Sequence, residues 1–442
     1  MPVHFVRVRA PLSRLCKLLG VAYGRRWLSS ASGWRPILPL WLILAAPAAA
    51  APAPSYYALL HQAEATAPRL LVSRASVGTA QGLAEQAGAL PNPVGGILFE
   101  NFGGGQTPLN GFSPQQATIS LSQPIEWGGK RGARITAGAA ELGAAEARDR
   151  QGLTAFGYDL ALAYAGAEAA KAKVRLYEDA SQAAARDLSG TQALVDAGRQ
   201  AAVRAKQANA AYLAAQADLE SARADADQTL AQLSVLVAAP QSFTDVVPSL
   251  LPLADSLKPP SVAPPKIFPA VAVAEAERNA ALGKLDVEKT RTTPDVTATL
   301  GVRRLQGDRE TVLVGGISLP IPLFDQNGGN ISAAGSQVAA ADARLMAARA
   351  GAETGWRAAL LQASAAIAKF TAAKSAEAAA DEAYGLTRTG YESGKTSLLD
   401  LLNARRVLTD ARLRLLDARV ARIAAQALLA RLAGNVPFGG AP

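Results

Sequence analysis

The sequence predicts a mainly α-helical protein with a small β part, made of two tandem repeats that each contain a strand pair and a long coiled-coil helical hairpin. Residues 119–124 (ISLSQP) recur about 198 positions later as residues 317–322 (ISLPIP). The segments around Gly198 and Gly394 recur with a spacing of about 196. A long Ala-rich stretch without proline follows each strand-like segment. Because a repeat of this length determines the architecture, we assign every element within it.

The predicted organisation covers the whole chain. It comprises a signal peptide at 1–50, repeat 1 at 51–240, a proline-rich linker at 241–268, repeat 2 at 269–434 and a tail at 435–442. Each repeat is expected to contain a short helix, a strand pair and a long helical hairpin.

The first 50 residues have the order of a secretory signal peptide. A basic segment without acidic residues precedes an apolar run around 40–44 and the small-residue segment 48–50. The alternative, a transmembrane anchor, is disfavoured because the apolar run is too short to span a bilayer. This leader carries seven of the 45 basic residues and none of the 36 acidic ones, so its removal lowers the net charge from +9 to +2. The remaining charge gives no support for nucleic-acid binding. Cys16, the only cysteine, also lies in the leader, so neither a disulfide nor a lipid-modified N-terminal cysteine is expected.

The β part is predicted from alternating apolar and polar residues. In repeat 1 a helix over 56–88 precedes strands at 97–102 and around 117–122, and in repeat 2 the alternation covers 296–303 and 313–319. Strands of about ten residues cross a bilayer when they are tilted, and the smallest membrane barrels have about eight strands. Four strands therefore require several copies to close a barrel. A soluble sheet packed on one face is the alternative.

The helical hairpins are predicted to be very long. About 65 residues of helix extend roughly 100 Å at 1.5 Å per residue. Return helices are expected at about 200–237 and 397–433, and a short helix at about 269–291 precedes the second strand pair. Apolar and small residues recur every seven positions along the return helices, which is typical of a coiled-coil seam. The residues of this seam are Leu401, Leu408, Leu415, Ala404, Ala411 and Ala418, with Ala208, Ala215 and Ala222 in repeat 1.

No catalytic constellation is recognisable, so we expect that the protein is not an enzyme. His61 is the only histidine after the leader, which excludes Ser/His/Asp and Cys/His arrangements and soft-ligand metal clusters. The segment Gly394-Lys395-Thr396 lacks the spacing and the preceding strand of a phosphate-binding loop. We therefore expect no cofactor and no resident metal.

Asp400 is the carboxylate that we single out, because it follows the tip glycine Gly394 beside two leucines. In an oligomer it would repeat as a ring near the mouth of a tube, and carboxylate rings favour cations. The alternative is a surface aspartate near a helix start, where the helix dipole favours a negative charge.

Four segments together resemble the TolC-type outer-membrane factors. They are 100–104 (ENFGG), 121–131 (LSQPIEWGGKR), 317–325 and 391–402, and the resemblance extends over 55–434. The first two are most similar to the CzcC-like branch of heavy-metal efflux systems. The resemblance implies a homotrimer with a 12-stranded outer-membrane β-barrel on a 12-helix periplasmic α-barrel. It also implies a periplasmic adaptor (a membrane fusion protein), an inner-membrane pump of the resistance-nodulation-division type, and contact with outer-membrane lipid.

The resemblance also implies roles for residues at the hairpin ends. Tyr391 matches an aromatic residue that takes part in closed-state contacts, and Asp400 matches a constricting aspartate. Asn403 stands where some members have a second aspartate, and Thr396 where some have an arginine, so those gate interactions are expected to differ here. The tip turns at Gly198 and Gly394 match the adaptor-docking positions.

The function expected from these observations is a passive, gated conduit in the outer membrane of a Gram-negative bacterium that exports divalent heavy-metal cations. Multidrug efflux or type I protein secretion by the same fold is an alternative. A soluble periplasmic coiled-coil scaffold is a second alternative from a different class.

Overall fold

The computed structural model describes residues 51–100, 116–259, 261–305 and 309–439. The predicted signal peptide, the end of the predicted first strand at 101–102 and the turn at 306–308 lie outside this set. The elements are α1 (Tyr56–Thr66), α2 (Pro68–Ala87), β1 (Val94–Glu100), β2 (Gln116–Ile125), α3 (Lys130–Asp196), α4 (Ala202–Leu236), α5 (Leu250–Ala254), α6 (Pro269–Thr290), β3 (Val296–Leu305), β4 (Glu310–Ser318), α7 (Gly328–Glu392) and α8 (Leu398–Leu432).

The two repeats are present as predicted. The run α2, β1, β2, α3 and α4 is repeated as α6, β3, β4, α7 and α8. The long helices α3 and α7 contain 67 and 65 residues, and both return helices contain 35. No helix of the described residues combines the length and the apolar character needed to cross a membrane.

The four strands form one antiparallel sheet in the order β1-β2-β3-β4. Ile119 lies opposite Ile97 on one side and Val302 on the other, so all three side chains share one face. Thr118 lies opposite Arg303, on the other face. One face is therefore apolar and exposed. The other face carries hydroxyl groups along its two central strands, with Thr118, Ser120 and Ser122 on β2 and Thr297 and Thr299 on β3, as the alternation predicted.

The N-terminal helix predicted over 56–88 is divided into α1 and α2. Ala67 has an extended backbone (φ −65°, ψ 122°), and Pro68 begins the next helix. A proline has no backbone N–H and disfavours a helical conformation in the residue before it, but it is tolerated in the first helical turn. The prediction of one uninterrupted helix was therefore wrong at the junction between Ala67 and Pro68.

The shorter helices pack beside the long ones. α6 packs along both α3 and α7, whereas α2 packs along α3. Gly283 of α6 approaches α3 so closely that an added Cβ would lie 2.8 Å from the Cα of Ala137. Arg278 of α6 also pairs with Asp342 of α7 at 2.5 Å. α6 therefore joins the two repeats.

The main hydrophobic core surrounds the middle of α3. Tyr164 is fully buried, and its hydroxyl lies 2.8 Å from the carbonyl oxygen of Pro54 and 2.7 Å from that of Val247. Burial raises the pKa of Tyr164 to about 12. The hydroxyl of Tyr56 donates to the carbonyl oxygen of Pro437 at 2.8 Å. Three segments distant in sequence, namely the start of the described chain, the linker and the tail, are thus held on one helix.

The proline-rich linker is not extended throughout. It contains α5, and Leu250, Leu251 and Ala254 are buried. The carboxylate of Glu168, which is 2% exposed, accepts hydrogen bonds from the backbone N–H groups of Ser249, Leu250 and Leu251 at 2.5, 2.9 and 2.6 Å. A single buried side chain of α3 therefore fixes the linker.

The predicted seam lies on the buried side of the return helices. Leu401, Leu408, Ala411, Leu415 and Ala418 are buried on α8. Ala404 is half-buried, as is Ala215 of α4, and Ala208 and Ala222 of α4 are buried. Small residues at these positions let the helix axes approach closely, as expected for a coiled-coil seam.

Candidate functional site

Both hairpin tips are built by the same backbone motif. After α3, the N–H of Arg199 donates to the carbonyl oxygen of Leu194 at 2.8 Å, and Gly198 has φ +66°. After α7, the N–H of Lys395 donates to the carbonyl oxygen of Gly390 at 2.8 Å, and Gly394 has φ +72°. This is the Schellman motif, in which glycine adopts the left-handed conformation without a steric penalty. The sequence prediction of two glycine tip turns is confirmed in geometry.

Thr396 fastens the second tip to the end of α7. Its hydroxyl donates to the carbonyl oxygen of Thr387 at 3.0 Å. Its side chain also rests on Gly390, where an added Cβ would lie 2.8 Å from the Thr396 Cγ2. Sequence reasoning did not assign this role to Gly390, although a glycine four residues before the tip turn was a visible signal.

Asp400 lies in the first turn of α8 and closes a capping box with Ser397. Its carboxylate accepts from the Ser397 N–H at 3.0 Å and from the Ser397 hydroxyl at 2.6 Å, while its own N–H donates to that hydroxyl. The hydroxyl bond and then the backbone bond lower the pKa of Asp400. Asp400 therefore caps the start of α8 and is exposed and ionised at the tip, and its role in an anionic ring stays a prediction.

The other two predicted gate residues lie close to Asp400 in sequence but do not bond to its side chain. Asn403 is exposed one turn further along α8, and Tyr391 is half-buried in the last turn of α7. Among the hydrogen bonds of the described residues, the Asp400 carboxylate is paired with Ser397 and not with Tyr391, Thr396 or Asn403. Within one chain the four residues therefore form a surface at the tip and not a bonded cluster.

A link between the two hairpins was missed by sequence reasoning. Arg405 of α8 forms an ion pair with Asp187 of α3, and their side chains are 12% and 22% exposed. Burial raises the pKa of Asp187, although the Arg405 guanidinium acts in the opposite direction. The two residues are 218 positions apart, so no local pattern could indicate the pair.

Within the described ranges, no group of three or more His, Cys, Asp or Glu side chains is placed to hold a metal ion. The chemistry that the tip surface offers is therefore that of exposed carboxylate and amide groups at the end of a helical hairpin.

Residues 59–239 and 268–435 match the family described as outer membrane efflux protein. The chain belongs to the outer membrane efflux protein family. The two matched segments correspond to the two repeats of the fold. The resemblance drawn from the sequence is confirmed, and with it the predicted outer-membrane location with a periplasmic helical extension.

Relatives of this efflux protein include two with metal-resistance names. The chain is 42% identical over 389 residues to the nickel-cobalt-cadmium resistance protein NccC of Alcaligenes xylosoxydans xylosoxydans, with 88% of each chain covered. It is 30% identical over 339 residues to the cobalt-zinc-cadmium resistance protein CzcC of Cupriavidus metallidurans, covering 75% of this chain and 78% of that one. The similarity to the CzcC-like branch is therefore confirmed.

The fold of this efflux protein is also that of a solved channel structure. A crystal structure of CusC superposes with a TM-score of 0.73, covering 86% of this chain and 92% of that one at 17% identity. At that identity the likeness shows the fold alone. The predicted fold class, mainly helical with a small antiparallel sheet, is confirmed.

Proposed function

We propose that this outer membrane efflux protein is a passive, gated conduit, assembled from three copies, that exports divalent heavy-metal cations. The observation that carries the metal assignment is the 42% identity, over 88% of both chains, to a relative named for nickel, cobalt and cadmium resistance. Energy comes from an inner-membrane pump of the resistance-nodulation-division type, and the protein itself performs no catalysis.

Assembly from three copies is supported first by the sheet. β1 and β4 are edge strands, each with a partner on one side only in the four-stranded order. Exposed strand edges pair readily with another chain, and a membrane barrel must close. Because four strands are too few for a barrel, three copies would place β4 of one copy beside β1 of the next and give about twelve strands. The exposed apolar face, including Ile97, Leu300 and Leu313, would then contact outer-membrane lipid.

The second support for assembly comes from the repeats. Pro68 and Pro269 both begin their helices, and by this alignment Gly82 of α2 corresponds to Gly283 of α6. Gly283 packs tightly against Ala137 of α3, whereas nothing lies within 4 Å of a Cβ built on Gly82. By the same repeat, Gly335 of α7 corresponds to Ala137, and a Cβ built there would also meet nothing within 4 Å. Gly82 of one copy is therefore proposed to pack against Gly335 of the next.

This contact is testable with cysteines because the chain has none after the leader. Gly82→Cys combined with Gly335→Cys should give oxidised dimers and trimers on denaturing gels of outer-membrane fractions. The matched control is Ala137→Cys with Gly283→Cys, the equivalent contact within one chain, which should give only an internal disulfide. Monomers alone from both pairs would contradict the proposed assembly. Recovery of the protein in the soluble periplasmic fraction would favour the scaffold alternative.

The gate is proposed at the second hairpin tip. Three copies of exposed Asp400 would form an anionic ring, with Asn403 in place of a second carboxylate. The Thr396 hydroxyl and the backbone carbonyl of Tyr391, which accepts from the Gly394 N–H, hold the tip turn that precedes this ring. The Arg405–Asp187 ion pair holds α8 against α3. Opening would then require the second hairpin to move away from the first. The turns at Gly198 and Gly394 are proposed to receive the periplasmic adaptor, and residues 1–50 to be removed on export.

A further inference from the structure

The polar face of the sheet carries few charges. The described strands contain four charged residues, namely Glu100, Arg303, Arg304 and Glu310. The strand register places Glu100 opposite Gln116, Thr118 opposite Arg303, and Leu305 opposite Glu310. Because side chains alternate between faces, Glu100, Arg303 and Glu310 share the polar face with Thr118, while Arg304 points to the apolar face. Arg303 is therefore the single cation on the polar face of these strands.

Arg303 is held by three neighbours on that face. Its Nε donates to the hydroxyl of Thr118 at 2.9 Å, and its Nη1 lies 3.5 Å from the side-chain oxygen of Gln116. Its Nη2 lies 3.1 Å from a carboxylate oxygen of Glu100, an ion pair that lacks the alignment of a directed hydrogen bond. Thr118 is 5% exposed, so the guanidinium rests on a buried support. The position of the charge is thus fixed by three strands.

The polar face has the residue types expected on the water-facing inner wall of a channel. Its middle is lined by hydroxyl groups, with Ser122 and Thr299 in contact across two strands at 2.8 Å. On the other face, Leu300 and Leu313 are 75% and 88% exposed. A sheet that closes with its apolar face toward lipid turns its polar face toward the water-filled interior. The charged group lies at the end of the sheet formed by the C-terminus of β1 and the N-terminus of β2, opposite to the end that joins the helices.

We propose that the cluster Glu100–Arg303–Glu310, repeated in the three copies, is an electrostatic ring at the outer end of the channel that sets its preference for cations over anions. This inference rests on the proposed function as a channel. Each copy contributes two carboxylates and one guanidinium, so the ring has a net charge of about −3, and charged rings of this kind govern the ion selectivity of pores. Arg303 moderates the attraction for divalent cations, which favours their release over their retention.

The test is the ratio of cation to anion permeability, from the reversal potential of the full-length protein in planar bilayers under a potassium chloride gradient. Arg303→Gln should raise this ratio by about twofold or more, and Glu100→Gln should lower it, because charged rings govern pore selectivity. Arg304→Gln removes the same charge from the adjacent residue on the opposite face and should leave the ratio unchanged. If Arg303→Gln does not assemble, Glu100→Gln decides the question.

The outcomes separate the two proposals. Conductance steps from the wild-type protein together with opposite shifts in the two variants support the ring. Conductance steps with the wild-type ratio in either assembled variant overturn the ring and leave the channel in place. An equal shift in Arg304→Gln also overturns it, because the effect would then come from net charge and not from the inner wall. The absence of conductance in both the wild type and Arg405→Ala, which breaks the ion pair near the tip, overturns the channel itself, and the ring with it.

Discussion

Glu168 should control the stability of the linker between the repeats. Its buried carboxylate accepts from three backbone N–H groups and, at 3.2 Å, from the hydroxyl of Ser249. Hydrogen bonds to charged groups contribute about 1.5–3 kcal/mol each, against about 0.5–1.5 kcal/mol for neutral ones. Glu168→Gln keeps the shape but removes the charge, and its amide can turn only one oxygen toward the four donors. We therefore expect local destabilisation of about 2–4 kcal/mol.

The assay is proteolysis of the linker in folded protein, because the cleavage rate follows the population of the locally open state when opening is fast. A change of about 3 kcal/mol corresponds to roughly a hundredfold faster cleavage between residues 245 and 257. The matched control is Glu178→Gln on the same helix. The Glu178 side chain is 39% exposed and pairs with Arg223, so its loss should cost less than about 1 kcal/mol. Equal cleavage rates in the two variants would refute the view that Glu168 fixes the linker.

Three further predictions concern the tip and the helix surface. Asp400→Ala should raise the single-channel conductance and weaken the block by trivalent cations. The control Ser397→Ala removes the helix cap but keeps the carboxylate, so the block should stay intact. An unchanged block in Asp400→Ala would remove this residue from the gate. Arg405→Ala should raise the open probability, and a double-mutant cycle with Asp187→Ala should show coupling; additive effects would mean that the pair is not a link. Hydrogen bonds from Arg419 lower the pKa of Asp255, so the stability that this carboxylate contributes is present above its ordinary pKa of 3.8 and is lost as the pH falls through the lowered value. In unfolding experiments, the stabilities of the wild type and Asp255→Asn should therefore converge in strong acid. A stability difference that stays constant down to that pH would contradict the assignment.

Much of the fold was predictable because its signals are local and repeated. The long helices follow from stretches without proline, and the tip turns from Gly198 and Gly394, whose backbone conformation disfavours other residues. The strands follow from alternation with period two. The break between α1 and α2 also has a local signal, because Pro68 would disrupt the interior of a helix but is accepted at the first position of a new one.

The remaining features depend on contacts between distant segments. In the sequence, Glu168 is one of many carboxylates on a long helix, and only its contact with the linker distinguishes it from the others. The pairs Arg405–Asp187 and Arg303–Glu100 each join residues from different repeats, so neither spacing nor composition indicates them. Asp400 was identified from its place beside the tip, and one chain gives it a capping role. Its proposed ring requires three copies and is therefore beyond what either the sequence or a single chain contains.

The most direct test of metal export is the growth of a deletion strain across nickel, cobalt, cadmium, zinc and copper, beside a panel of hydrophobic drugs. We expect sensitivity to one or more of the divalent metals alone, restored by the wild-type gene. Sensitivity to drugs, or to neither class, would contradict the assignment of divalent metal cations as the exported substrate.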